Sequence, residues 1–387
     1  MGQKFLFLSL AILLLVAEVW AEESGFKFEV VKQLDATSVK NQSQTNTCWA
    51  YSTGSFLESE LIRMGKGRHD LSEMFVVRMV YPEKIRRYVR YHGKTRFAPG
   101  SVAGDVMRVV REYGMVPESA FPSGSKPNHH EMDTVLKAAL DALIENRGGQ
   151  LSKAWPAAFE GILDAYLGAP PERFTYQGRE YTPRTFADEM GLRAEDYVEF
   201  TSYTHHPYYQ KFSLELPDNW SANTHYNVPL EEFISVVDSA IDQGYTLGWD
   251  GDVSEHSLHR SRGIAILPKK EWDERTAKEK ADICLAPEPE LNVTQEIRQE
   301  QFGNYTTNDD HLMHITGVAR DQNGTKFYII KNSSGTFERG NEGYIYMSEP
   351  YFLAKTISVM VHKGGVPEML VKKLRTATGT ATFVEQR

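Results

Sequence analysis

Cysteine is nearly missing from this chain: 387 residues carry only two, Cys48 and Cys284. Two cysteines cannot knit a disulfide scaffold, so a hydrophobic core has to hold the fold. Positive charge is not in excess either, with 43 Lys and Arg against 52 Asp and Glu and a net charge of -9. That balance argues against non-specific binding of nucleic acid. No apolar run beyond residue 21 is long enough to cross a bilayer, and no internal repeat is visible. The glycine patterns of dinucleotide and α/β-hydrolase sites are missing. "HGKT" at 92–95 resembles half a phosphate loop, but Tyr88 stands where that loop needs a glycine. "HHEMD" at 129–133 lacks the second histidine of a zinc-protease helix. The pairs His129/His130, His205/His206 and His256/His259 have no carboxylate or thiol at zinc-like spacing, so they read as solvated loop residues. No metal or organic cofactor is expected. The basic run "KIRRYVRYHGKTR" reads as a solvated face.

What is present begins with a leader. "MGQKFLFLSLAILLLVAEVWA" has a basic start at Lys4, an apolar run from Phe5 to Ala17, and small positions at Val19 and Ala21. It reads as a secretory signal over residues 1–21, cleaved before Glu22, and makes the mature protein secreted or periplasmic, with no membrane association after cleavage. Six N-x-S/T sequons occur, at Asn41, Asn219, Asn292, Asn304, Asn323 and Asn332. Two of them flank the site argued below, where a glycan would block a cleft, which favours a compartment that does not glycosylate.

From Cys48, apolar residues recur at helical spacing (Trp49, Phe56, Leu57, Leu61, Met64) until Gly65 and Gly67. A second helix follows Ser72, its expected N-cap, and a third runs to Gly114. With the lead-in these form a helical lobe over 22–117. Residues 118–245 stay mostly helical and read as an insertion, with a Tyr-, Pro- and His-rich stretch of loop and strand within it. After that the texture changes. "YTLGWDGDV", "HLMHITGVARD", "TKFYIIKNSSG", "EGYIYMS" and "ISVMVHK" are short, β-branched and aromatic-rich, giving an antiparallel β-barrel lobe over 246–363 and then a tail over 364–387. Helices first and sheet last makes an α+β protein of two lobes.

"NTCWAYSTG" (46–54) sets Cys48 at the N-terminus of the first helix, where the helix dipole favours thiolate. Gln42, six residues upstream, can reach back over a tight loop. Its amide and the Cys48 backbone N–H would form a two-donor oxyanion hole. A base must come from elsewhere. In "DDHLMHITGVA", strand alternation puts His311, Met313 and Ile315 on one face and Leu312, His314 and Thr316 on the other, so at most one of the two histidines faces a given cleft. Spacing alone does not choose between them. Asn332, at the end of the next strand, can hold an imidazole N–H without adding charge. Cys284, in "KADICLAPEPE", reads as a small buried hydrophobe.

These residues carry a resemblance. "Q-x5-CWA(Y)S" at 42–52, "H-x5-G" at 311–317 and "KNS-x-G" at 331–335 resemble the papain-type cysteine peptidases, whose glycine spacing selects His311 over His314. "LSEMF", "REYGMVPESAFP", "GAPPERFTY", "YTPRTFADEM" and "VPEMLVKKL" are similar, in that order, to the bleomycin hydrolase / aminopeptidase C group, and the likeness spans about residues 38–374. It implies Cys48 as nucleophile, His311 as base, Asn332 as orienter and Gln42 as oxyanion donor. Gly100 and Ser101 would line the substrate groove. It also implies a helical lobe bearing Cys, a β-barrel lobe bearing His and Asn, and a helical insertion between them. Two departures stand out. Ser334 replaces the Trp that shields the Asn–His pair in the family. A polar tail ending at Arg387 replaces the arm whose terminal carboxylate grips the substrate's amine.

With cleavage after Ala21, only 26 residues precede Cys48 (47 − 21), too few for an inhibitory pro-segment. Restriction would then come from a cleft closed at one end, by the insertion or by homo-oligomer packing. The expected activity is an exported cysteine peptidase acting on peptides, as an aminopeptidase. An endopeptidase, or a catalytically silent peptide- or glycan-binding protein on the same fold, are the alternatives.

Overall fold

The computed structural model describes residues 25–124, 127–145, 148–336 and 340–378. The leader at 1–21 and the tail beyond residue 378 lie outside the described residues. Among the described residues, no helix is long and apolar enough to cross a membrane.

Strand β1 (Glu29–Gln33) leads into a loop and then the first helices: α1 (Cys48–Arg63), α2 (Glu73–Arg90) and α3 (Ala103–Glu112). Ser72 caps α2 as its position demands, its hydroxyl accepting from Phe75 N–H at 3.0 Å. Gly114, at φ +97°, ends the α3 turn in the left-handed region. Helices α4 (His130–Ile144) and α5 (Trp155–Leu167), the hairpin β2 (Phe174–Tyr176) and β3 (Arg179–Tyr181), and α6 (Pro183–Met190) complete this half. Their apolar faces share one core with α1–α3, built on Trp49, Phe56, Phe75, Tyr81, Leu136, Leu163 and Phe186.

The second half is a sheet. Strands β4 (Tyr197–Thr201), β5 (Lys211–Ser213) and β6 (Thr224–Asn227) come first, then α7 (Leu230–Asp242) and β7 (Leu247–Gly251). Short strands β8 (Leu258–His259) and β9 (Ile264–Ala265) precede α8 (Ala277–Ala281) and α9 (Gln295–Gly303). Then follow β10 (His311–Arg320), β11 (Lys326–Lys331), β12 (Tyr344–Ser348), α10 (Glu349–Lys355), β13 (Thr356–His362) and α11 (Glu368–Thr378). The strand order is β5-β6-β4-β13-β7-β10-β11-β12-β9-β8, with β1 added to β10. All pairings are antiparallel except β4·β6 and β9·β12. The five segments read as strands from their β-branched texture are β7, β10, β11, β12 and β13.

Residues 197–242 differ from the sequence reading, which placed them in the helical insertion. β4 pairs with β13 from Val359↔Phe200 to His362↔Tyr197, and α7 buries Phe233, Val236, Val237 and Ile241 in the sheet's own core. The wide spacing between β4 and its partner hides this pairing from any local pattern.

Candidate active site

The two halves meet where α1 lies against β10. Three α1 residues on one helical stripe dock onto three consecutive strand residues. Leu312 N–H points at the Cys48 thiol, Ser52 Oγ donates to Met313 O at 2.5 Å, and Ser55 Oγ lies 2.9 Å from His314 Nδ1. The helical spacing of 48, 52 and 55 puts them on one face. On the other side of β10, Met313 and Ile315 enter the sheet core, whereas Leu312 joins the helical core. His314 is fully buried against α1, so it is packed between the halves and offers no ring nitrogen to solvent.

His311 ends the strand beside this seam. Its Nε2 is 2.8 Å from Asn332 Oδ1, and that same oxygen accepts from Ser333 N–H at 2.7 Å. A backbone donor on Oδ1 fixes the Asn amide orientation. The imidazole must therefore carry its proton on Nε2, which leaves Nδ1 with a lone pair. The pair is shielded even with Ser334 in place of tryptophan, for His311 is 7% and Asn332 6% exposed.

The loop bearing Gln42 comes to the same place. Gln42 N–H donates to Ser333 O at 2.9 Å, and Asn41 bridges to Ser334. Gln42 Oε1 is buried without a hydrogen-bond partner among the described residues. The loop is riveted from behind: Lys40 Nζ contacts Glu58 Oε1 at 2.8 Å, Glu73 Oε1 at 2.7 Å and Asp70 Oδ1 at 2.5 Å, the first two carboxylates being buried. Lys331, next to Asn332, reaches across to Ser55 Oγ at 2.8 Å and Thr37 Oγ1 at 3.1 Å. Cys48, Gln42, His311 and Asn332 are thus brought to one seam.

Gly100 and Ser101 sit beside it, tied to α1 through Trp49 Nε1, which donates to Pro99 O at 3.0 Å. Ser101 is buried, its hydroxyl donating to Asp105 Oδ2 at 2.5 Å and accepting from Trp220 Nε1 at 2.8 Å. Gly100 is pressed by the Asp218 carboxylate, which a Cβ there would meet at 1.9 Å. Its carbonyl accepts from Lys84, a buried member of the run that was read as a solvated face.

The electrostatics are dominated by burial. It pushes the Cys48 thiol up to about 12, against the lowering from Leu312 N–H, and the carboxylates of Asp309, Asp250 and Asp218 push the same way. The expected advantage of the helix N-terminus is outweighed here. Burial also holds His311 down to about 4, although the Asn332 bond favours its charged form. Each group alone prefers neutrality; an imidazolium and a thiolate formed together would each offset the other's desolvation. Cys284 is also free and buried, its thiol donating to Ser257 O at 3.0 Å.

Sequence reasoning missed the three aspartates around the thiol. Asp250 stands opposite Leu312 in the β7·β10 register, and Asp309 lies two residues before His311. Asp250 and Asp309 interact side chain to side chain. Burial raises both, Asp309 to about 7 and Asp250 well above the carboxylate range, Asp250 also through the adjacent Asp309. The visible signals were the acid inside the apolar strand "LGWDG" and the doubled acid of "DDH".

Residues 72–381 match the model of the Peptidase C1-like family. The chain belongs to that family. Membership makes it a cysteine-type peptidase. Aminopeptidase W of Lactobacillus delbrueckii subsp. lactis is 22% identical, across 89% of this chain and 85% of that protein. Aminopeptidase C of Streptococcus thermophilus is 24% identical, across 88% and 83%. The crystal structure of PepW from Lactobacillus rhamnosis superposes with a TM-score of 0.71 at 20% identity, over 91% of this chain and 86% of that one. It establishes the papain-like α+β fold.

Proposed function

We propose that this Peptidase C1-like protein is an exported aminopeptidase working through Cys48, His311, Asn332 and Gln42. Proton transfer from the Cys48 thiol to His311 Nδ1 generates the nucleophile, which attacks the peptide carbonyl. The Cys48 N–H, a first-turn donor that no intrahelical carbonyl can reach, and the Gln42 amide receive the oxyanion. His311 protonates the leaving amine, Asn332 keeps the ring in its Nε2–H tautomer, and water then releases the acyl group. The two departures from the family pattern bear on different parts of this reading. Ser334 leaves the His–Asn pair buried, which supports catalysis over a silent binding role.

The observation that carries the exopeptidase part is the trio of carboxylates, Asp218, Asp250 and Asp309, placed close enough to raise the thiol. A site beside the nucleophile that holds negative charge suits a substrate's free ammonium group. Named aminopeptidases among the relatives support the same choice. Export rests on the leader; the sequons at Asn219 and Asn332 are buried, so neither could carry a glycan in this fold. Peptides with free and with acetylated N-termini decide the matter, with Cys48→Ala as control. The free peptide should be cleaved at least tenfold faster; equal rates would replace the aminopeptidase with an endopeptidase, and no cleavage of either would favour a binding protein.

A further inference from the structure

The histidine pair 205/206 was set aside for want of a carboxylate, and the fold supplies one. β5 turns the chain so that Glu215 comes back over the pair. Its Oε2 lies 3.3 Å from His205 Nε2 and its Oε1 2.9 Å from His206 Nε2. One donor atom from each of the three residues lies within 4.8 Å of the others. Tetrahedral zinc, bound at about 2.1 Å, needs its ligand atoms roughly 3.4 Å apart, so the three need only small shifts to share an ion.

The protonation pattern sharpens this. Gln299 Oε1 accepts from Thr204 N–H at 2.6 Å and from Thr204 Oγ1 at 3.1 Å, which identifies it as the amide oxygen. It lies 3.3 Å from His205 Nδ1, which must therefore be the N–H of that ring. A neutral His205 then turns the lone pair of Nε2 onto a Glu215 oxygen. Two acceptors facing each other repel, and either a proton or a metal ion between them removes the conflict. The rings are also held in place. His206 stacks on Phe212 at 4.0 Å between centroids, and His205 lies parallel to Phe302 at 5.6 Å. Gln299 and Phe302 both belong to α9, so the arrangement ties the loop between β4 and β5 to that helix.

The geometry points to a divalent transition-metal site, suited to Zn2+, formed by His205 Nε2, His206 Nε2 and the Glu215 carboxylate, with Gln299 fixing the His205 tautomer. Three protein ligands leave a fourth position, and side-chain exposures of 31%, 30% and 61% open it to water. The site is separate from the thiol chemistry, and its role is to clamp the loop between β4 and β5 onto α9.

The test uses the chain carrying Cys48→Ala, which removes the thiol at the seam and leaves only the buried Cys284, titrated with Zn2+ alone against a chromophoric chelator at neutral pH. One equivalent should bind, and Zn2+ should raise the thermal midpoint. Glu215→Gln, at an exposed position that leaves the fold intact, should weaken binding by about tenfold or more, as should His206→Ala, and Gln299→Ala should weaken it by about tenfold through the outer shell. The idea fails if the Cys48→Ala chain takes up no zinc, or if Glu215→Gln and His206→Ala bind it as tightly as their parent. Either result would leave the three side chains as an ordinary imidazolium–carboxylate ion pair.

Discussion

At the scale of single residues, the carboxylates around Cys48 make the sharpest forecast. Asp309 is held up to about 7, chiefly by burial and then by Asp218. Below that pH Asp309 loses its charge, and the proposed hold on a substrate ammonium should weaken with it. The kcat/KM for free-amine peptides should therefore fall as pH drops through about 7, while an acetylated peptide shows no such limb. Asp309→Asn should flatten the limb and lower kcat/KM for free-amine peptides at pH 8. Stability should respond in the opposite sense. A carboxyl whose folded pKa is raised binds its proton more tightly in the native state, so its contribution is full below the ordinary carboxylate value and is lost as pH rises to about 7. Asp309→Asn should then raise the thermal midpoint at pH 8 and leave it little changed near pH 4. A midpoint that moves the other way would show the carboxylate to be structurally required.

The same residues mark what a sequence displays and what it hides. Cys48 at a helix start, Gln42 six residues earlier and Asn332 at a strand end are local signals, legible because each sits at the boundary of a periodic segment. His311 was separated from His314 only by resemblance, since alternation leaves both open. Asp250 and Glu215 gave no local sign of their partners. Asp250 meets the site through the β7·β10 register, and Glu215 through the turn after β5. Register between distant strands is set by whole-sheet packing, which no window of sequence contains.

At the scale of elements, the Gln42 loop depends on Lys40. Glu58 and Glu73 are buried at 0% and 1% side-chain exposure, and Lys40 is the cation between them. Lys40→Met removes the cation that both buried carboxylates contact, leaving Glu58 only the neutral donors Leu71 N–H and Thr37. It should cost about 3–5 kcal/mol of unfolding free energy in denaturant titration. Loss of less than about 1 kcal/mol would mean that the carboxylates protonate without consequence. β10 carries a second constraint of this kind. Gly317 lets β1 cross closely, because a Cβ there would stand 2.3 Å from Lys32 O. This gives a physical reason for the glycine whose spacing separated His311 from His314. Gly317→Val should displace β1 and speed hydrogen exchange of its amides.

At the scale of the molecule, two cores are joined along one seam, and helical and sheet halves read correctly as an α+β pair. The boundary between them was drawn too late in the chain, because β4–β6 and α7 have helical neighbours in sequence but sheet neighbours in space. The proposed chemistry sits at the seam and belongs to neither half alone. Of the two free thiols, only Cys48 lies there; Cys284 is enclosed in a small cluster with Phe26 and Phe327. In the folded protein an epoxide inhibitor such as E-64 should label Cys48 far faster than Cys284, as mass spectrometry would show. Equal labelling would remove Cys48 from its proposed role.

The stripe of α1 that meets β10 joins residues 259 and 261 positions apart. A growing chain therefore displays its thiol long before the strand that completes it has been made. Until that strand arrives, Cys48 has neither the proposed His311 base nor the Leu312 N–H against it. In the proposed mechanism the order of synthesis then withholds reactivity from every incomplete chain, and it appears only when the last third of the molecule closes on the first.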